Sequence, residues 1–407
     1  MIWTRTVAAL SSVFLAFSTP ALAVPPAPVL RDAIEGSPML ATARAEIERA
    51  RATAARLRVG GYEVRVQGGG GRRIVDTPVG AEDRFTEWTA GISRSVRLPG
   101  KRKADHSIAG LEIAVAEAEY AAARRRAETA FIDAWSSWRR AHELAGLAER
   151  TAAAASRLAD AQRQAAEIGG ARQLSVDQLA AQAGLYEVEA TSLRAEAGNA
   201  RTSLAALFPA LPIPDRPVPA DWSRKRIREL LAVEPPVAPA AEAARLAADR
   251  ADAAARRARL ERAPDPLVGL QVAQEFGGDE TSFMATLSVP IGGRARKASA
   301  AEASASSAAM LARLTSAERE AEQRFAAAER SARAALSNLE VAAAAQESIR
   351  RAMERLEKGA AIKAVTLNEV MLVRRNLYDA ERSLIERRVE AERAFMMLSV
   401  MHNQFAR

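Results

Sequence analysis

Trp88-Thr89-Ala90-Gly91-Ile92-Ser93-Arg94-Ser95-Val96-Arg97-Leu98-Pro99-Gly100-Lys101 is the stretch on which the fold turns. Trp88, Ala90, Ile92, Val96 and Leu98 alternate with Thr89, Ser93, Ser95 and Arg97, and only Arg94 breaks the apolar side. A period of two puts one set on each face of a sheet. Upstream, Tyr62, Val64 and Val66 alternate with Glu63, Arg65 and Gln67. Far downstream, Val268, Leu270 and Val272 alternate with Gly269, Gln271 and Ala273, and Phe283, Ala285, Leu287 and Val289 with Met284, Thr286 and Ser288. Strands are therefore predicted at about 62–70, 85–98, 267–276 and 282–289, with turn-rich connections at Gly68 to Asp83 and Gly277 to Glu280. Each is near the length a tilted strand needs to cross a bilayer. Four strands cannot close alone, and open sheet edges do not occur in lipid. Three copies pooling their strands would supply twelve. A soluble sheet packed on a helix fits the alternation equally well.

Working outward, Pro-Gly turns recur: Leu98-Pro99-Gly100-Lys101 and Val289-Pro290-Ile291-Gly292 (290 − 99 = 191). Asp177 precedes Leu185-Tyr186-Glu187 as Glu369 precedes Leu377-Tyr378-Asp379 (369 − 177 = 192). Gly-containing breaks come before each, Ile168-Gly169-Gly170 and Lys358-Gly359-Ala360. The order predicts a duplication: 24–208 as the first repeat, a proline-rich linker at 209–226, and 227–407 as the second. Each repeat has a helix, two strands, and long helices running to a tip and back, the tips at about 168–174 and 358–364. From Lys101 to Glu167 there is no proline, and Ala, Arg, Glu and Leu dominate. At 1.5 Å per residue such a helix reaches roughly 100 Å, and Arg294 to Glu357 repeats it. Helices of this length need partners along them, as in coiled coils.

The N-terminus reads as a cleaved secretory signal, 1–23: Arg5, an apolar run from Val7 to Phe17, and Ala21-Leu22-Ala23. No later segment is a long apolar run, so entry into a membrane would have to be as a β-barrel. The absence of Cys excludes disulfides, thiol catalysis and lipidation at a cysteine. His106, His142 and His402 have no metal-site spacing, and no cofactor, metal or catalytic set is expected. The net charge of +8 comes from Arg mixed with Glu along helices, the pattern of a solvated helical face rather than a nucleic-acid surface. Gly68-Gly69-Gly70-Gly71 lacks the following Lys-Ser/Thr of a phosphate loop and reads as a hairpin end or an extracellular loop.

The tandem plan, the strand pairs ending in Leu98-Pro99-Gly100-Lys101-Arg102, and the breaks before Asp177 and Glu369 together resemble the TolC family of outer-membrane efflux channels, from about Leu30 to Met401. The Pro-Gly-Lys-Arg turn is similar to that of the branch paired with heavy-metal exporters of the cobalt–zinc–cadmium and copper–silver type. The resemblance implies a mainly α fold with a membrane β-barrel portion: a homotrimer with a twelve-stranded barrel and a long α-helical coiled-coil barrel in the periplasm. It implies outer-membrane lipid as surroundings and docking to a periplasmic membrane-fusion adaptor that joins an inner-membrane pump of the RND type. The adaptor-docking tips would be Ile168, Gly169, Gly170, Lys358, Gly359 and Ala360, and the periplasmic constriction Asp177 and Glu369. Leu372 stands where some drug-exporting members carry a second acid, and the lipidated cysteine of many relatives is missing. The strand residues Tyr62, Val64, Val66, Trp88, Ile92, Val268, Leu270, Phe283 and Leu287 would face lipid.

On this reading the chain conducts cargo passively, including heavy-metal cations, and is not an enzyme. Asp177 and Glu369 in three copies would ring the pore with six carboxylates. Alternatively each acid caps its returning helix or pairs with Arg172 or Lys363. The competing reading of the whole chain is a soluble periplasmic coiled-coil scaffold or adaptor.

Overall fold

A computed structural model describes residues 25–76, 82–169, 172–219, 222–361 and 366–405. The predicted signal at 1–23 lies outside them, as does Gly170. The elements run α1 (Ala27–Glu35), α2 (Pro38–Val59), β1 (Arg65–Asp76), β2 (Glu82–Ser95), α3 (Pro99–Glu167) and α4 (Gln173–Leu207). The same order then recurs: α5 (Arg224–Leu231), α6 (Pro239–Leu260), β3 (Leu267–Glu275), β4 (Glu280–Ser288), α7 (Arg294–Ala361) and α8 (Leu367–Met401). Counterparts match in length: 22 residues in both α2 and α6, 69 in α3 against 68 in α7, 35 in both α4 and α8.

Pro99 starts α3 because a proline in the first turn loses no intrahelical hydrogen bond and brings a φ already suited to the helix. The helix then runs about 100 Å. Against it pack α2, α4, α6 and α8, and α6 and α8 also flank α7. Alanine at Ala123, Ala127, Ala141, Ala148, Ala155 and Ala159 is buried along the seam and lets the helices approach closely. The densest core lies midway along α3. There Phe131 stacks on Trp135, Trp135 meets Trp138 edge-on, and Phe208, Leu204, Ile34, Leu40 and Ile227 close around them.

The four strands form one antiparallel sheet in the order β1-β2-β3-β4. The strand predicted at 62–70 lies at Arg65–Asp76 instead, and Gly68 to Gly71 sit in mid-ladder opposite Ala90, Thr89, Trp88 and Glu87 rather than at a hairpin end. Glycine lacks the side chain that would announce a strand, yet its N–H and C=O pair like any other. The second strand, predicted at 85–98, is Glu82–Ser95; Val96 keeps one bond, its N–H to Pro266 O at 2.8 Å, before Pro99 turns the chain into helix. The third and fourth strands end one residue earlier than predicted, and the fourth starts two earlier. The linker expected at 209–226 gives way to α5 at Arg224, where the Ser223 hydroxyl caps the helix by accepting from Arg226 N at 3.2 Å.

Candidate functional site

Register settles which side chains share a face. Val66, Ile92, Leu270 and Ala285 form one row across the sheet, Gly68, Ala90, Val272 and Phe283 the next, and Arg94, Val268 and Leu287 the row on the other side. The opposite face carries Gln67, Gly91, Gln271 and Met284, then Arg65, Ser93, Gly269 and Thr286. The apolar face is bare: Phe283 is 85% exposed and Leu270 65%, and among the described residues no helix packs across it. Val64, Val66, Trp88, Ile92, Val268 and Leu287 are likewise exposed. Tyr62 departs from the expectation. It precedes β1, and its half-buried ring lies 5.5 Å from the Arg97 guanidinium, so it does not belong to that face. At the upper border of the apolar rows, Trp88 Nε1 donates to Gln274 Oε1 at 2.6 Å. The indole thus keeps its polar edge hydrogen-bonded while its body lies on the apolar face.

Where the strands turn into helices, an ion cluster binds the two halves. Arg97, after β2, pairs with Asp105 on α3, and with Glu261 and Asp265 at 2.9 and 3.2 Å beyond α6. Lys101, only 1% exposed, meets Asp265 at 3.0 Å and Glu261 at 3.3 Å. Arg257 bridges Asp105 and Glu261, both at 3.0 Å, and Arg296 on α7 donates to Glu261 O at 2.8 Å. Burial works against the Asp265 charge, but hydrogen bonds from Lys101 and from Leu98 N outweigh it and hold its pKa below the ordinary value. Sequence reading placed Arg97 on the polar face of the second strand and Lys101 in the Pro-Gly turn, and took the Arg and Glu of the helices as solvated surface.

At the far end, the break comes differently in the two halves. Gly169 takes the left-handed φ of +73° that glycine tolerates, and Ile168 is fully presented to solvent. In the second half the expected break at Lys358-Gly359-Ala360 is not there: α7 continues through all three to Ala361. One helical glycine costs only about 1 kcal/mol relative to alanine, too little to end so long a helix. The turn itself, with Lys363, lies outside the described residues.

The two acids also differ. Glu369 completes a capping box on α8: its Oε2 accepts from Thr366 N at 2.7 Å while its own N–H donates to Thr366 Oγ1 at 3.3 Å. Asp177 stands beyond the first turn of α4 and accepts from Gln173 Nε2 at 3.0 Å. No contact joins the two acids among the described residues. Repeat-related tyrosines do meet nearby, Tyr186 and Tyr378 edge-on at 5.1 Å, beside an Arg382–Glu189 pair at 2.7 Å.

The backbone bond from Thr366 and then its hydroxyl hold the Glu369 pKa below the usual value. Because the folded pKa is depressed, this support is complete above the ordinary carboxylate range and is lost as pH falls through the lowered value. Thr366→Ala should therefore loosen the start of α8 by about 1 kcal/mol. Hydrogen exchange at Leu367 to Val370 should accelerate in that variant at neutral pH, with the difference shrinking in acid; unchanged exchange would show that the box does not hold the turn.

No protein-family model matches the sequence, and no curated protein matches it. Solved structures do match, over nearly the whole chain. The outer membrane protein VceC from Vibrio cholerae superposes with a TM-score of 0.73 at 20% identity, covering 93% of this chain and 95% of that one. The CmeC outer membrane channel of Campylobacter jejuni gives 0.74 at 13% identity, covering 93% and 85%. CusC, described for folding and transmembrane channel formation, gives 0.74 at 15%, covering 91% and 90%. The architecture is thus that of outer-membrane channel proteins. In particular, the chain has the TolC-like fold, with its tandem protomer of strand pairs and long helices.

Proposed function

We infer that three copies assemble into a twelve-stranded barrel in the outer membrane, continued by an α-helical tube in the periplasm, through which cargo leaves the cell passively. One observation carries this: a sheet with an uncovered apolar face and two unpaired edges, β1 and β4, which lipid tolerates only in a closed ring. Pairing β4 of one copy with β1 of the next closes it and turns the polar face of Gln67, Gln271 and Thr286 to the lumen. Energy comes from an inner-membrane pump, reached through a periplasmic adaptor at the tips around Ile168 to Gly170 and Lys358 to Ala360. Asp177 and Glu369, three of each, bias the narrow end toward cations, and the likeness of the Leu98 to Arg102 turn to that of the heavy-metal branch supports heavy-metal cations as cargo. No chemistry is assigned to the chain. The two halves, 24–208 and 227–407, act as one unit.

Purified protein added to planar bilayers should give stepwise cation-preferring conductance, and cell fractionation should leave it with outer-membrane fragments. A monomer that needs no detergent and conducts nothing would overturn the reading in favour of a soluble scaffold.

A further inference from the structure

The outward face of the sheet changes character above Trp88. Continuing the register, Arg72 lies opposite Thr86 and Ile74 opposite Arg84, all on the face that carries Val66, Ile92 and Leu270. Arg72 and Arg84 are therefore diagonal neighbours, about 7–8 Å apart at Cα, and both are exposed. At the other border of the apolar rows stands Arg94, whose Nε donates down to Tyr62 O at 3.2 Å. From Arg94 to Arg84 is about 33 Å along a strand. At the tilt of about 40° usual in membrane barrels this is about 25 Å of height, the thickness of an outer-membrane apolar band. Arginines thus flank the band on both sides.

The upper arginines contrast with the one on the lumen face beside them. Arg73 is saturated there: Glu87 at 2.7 Å, Glu275 at 3.1 Å, and the Phe276 ring 4.7 Å beneath its guanidinium. Arg72 has no acidic partner among the described residues. Arg84 makes an interaction of its own, so the charge left to be answered is chiefly that of Arg72. A guanidinium with no carboxylate against it among the described residues, directly above side chains that meet acyl chains, is placed where lipid phosphates lie.

We propose that Arg72, assisted by Arg84, binds a phosphate of the phosphorylated glycolipid of the outer leaflet, with its acyl chains along Trp88, Ala90 and Val66. The guanidinium fork suits a phosphate bidentately, and Trp88 sits at the depth of the sugar–acyl boundary. This inference rests on the membrane-barrel reading above. The site girdles the barrel three times and would fix its height in the membrane.

The full-length protein is placed in phosphatidylcholine nanodiscs doped with bisphosphorylated lipid A or its phosphate-free form, and the lipid retained is counted by native mass spectrometry. Wild type should prefer the phosphorylated form. Arg72→Gln should cut the preference about fivefold and Arg72→Glu more than tenfold, with Arg72→Lys keeping most of it. Arg319→Glu, an equal charge reversal on the exposed surface of α7, should change nothing. Equal retention by wild type and Arg72→Gln would overturn the proposal. So would loss of the preference on adding inorganic phosphate, which would make the site a free-anion site, or on adding a chelator, which would make a divalent cation and not the guanidinium the group that holds the lipid. Failure to enter nanodiscs at all counts against the barrel; entry without lipid preference counts against this site alone.

Discussion

Glu392→Leu should lower the stability of the folded chain by about 3–5 kcal/mol, because it strands a buried charge. Arg139 on α3 is 2% exposed and Glu392 on α8 1%, and the two are paired inside the cluster of Phe131, Trp135, Trp138 and Met396. Burial depresses the Arg139 pKa, but a guanidinium stays protonated at any pH the fold survives. Its second partner, Glu143 at 2.8 Å, reaches solvent and cannot replace the buried half of the pair. Arg139→Met combined with Glu392→Leu should recover most of the loss, since apolar groups of similar volume replace a buried ion pair at little cost. Denaturant midpoints of the single and double variants measure this. A single variant losing less than about 1 kcal/mol, or a double no better than the single, would show that the pair is solvated in the assembled protein.

Leu270→Arg should abolish stable membrane insertion while Gln271→Arg leaves it intact. Leu270 lies in the central row with Val66, Ile92 and Ala285, and Gln271 is its neighbour on the opposite face. An arginine near the bilayer midplane of a barrel costs about 2–4 kcal/mol, and in the proposed assembly it is paid three times over. Outer-membrane fractionation and the yield of detergent-resistant trimer read the outcome. Equal behaviour of the two variants, or greater harm from Gln271→Arg, would mean that the apolar face does not meet lipid.

How far the sequence revealed this fold depends on the kind of signal each feature leaves. Alternation at Trp88 to Leu98 and Phe283 to Val289 was legible because side chains on opposite faces meet different solvents. Gly68 to Gly71 was misplaced because a glycine run has no faces to compare. Tyr62 continued the alternation by parity alone; its ring is recruited by Arg97, which no local pattern announces. The capping box Thr366-Leu367-Asn368-Glu369 was readable in principle, since Thr366 and Glu369 have its spacing ahead of an apolar run. Glu369 was nonetheless weighed chiefly as a pore acid. The clusters at Arg97 and Arg139 were beyond reach. Their partners lie some 160 and 250 residues away, as Glu261 and Glu392 do, and a charged residue in an Arg/Glu-rich helix looks the same whether it ends up wet or buried.

The cluster at the strand–helix junction also bears on how such a chain can evolve. Displaced by the interval between the two Pro-Gly turns, Asp105 corresponds to Arg296 (296 − 105 = 191), an acid answered by a base. Lys101 corresponds to Gly292, and Arg97 to Ser288. The halves have become lock and key: one holds Arg97, Lys101 and Asp105, the other Arg257, Glu261, Asp265 and Arg296. Copies of either half alone would lose the pairs that join Arg97 and Lys101 to Glu261 and Asp265. The junction therefore needs both halves of the chain at once.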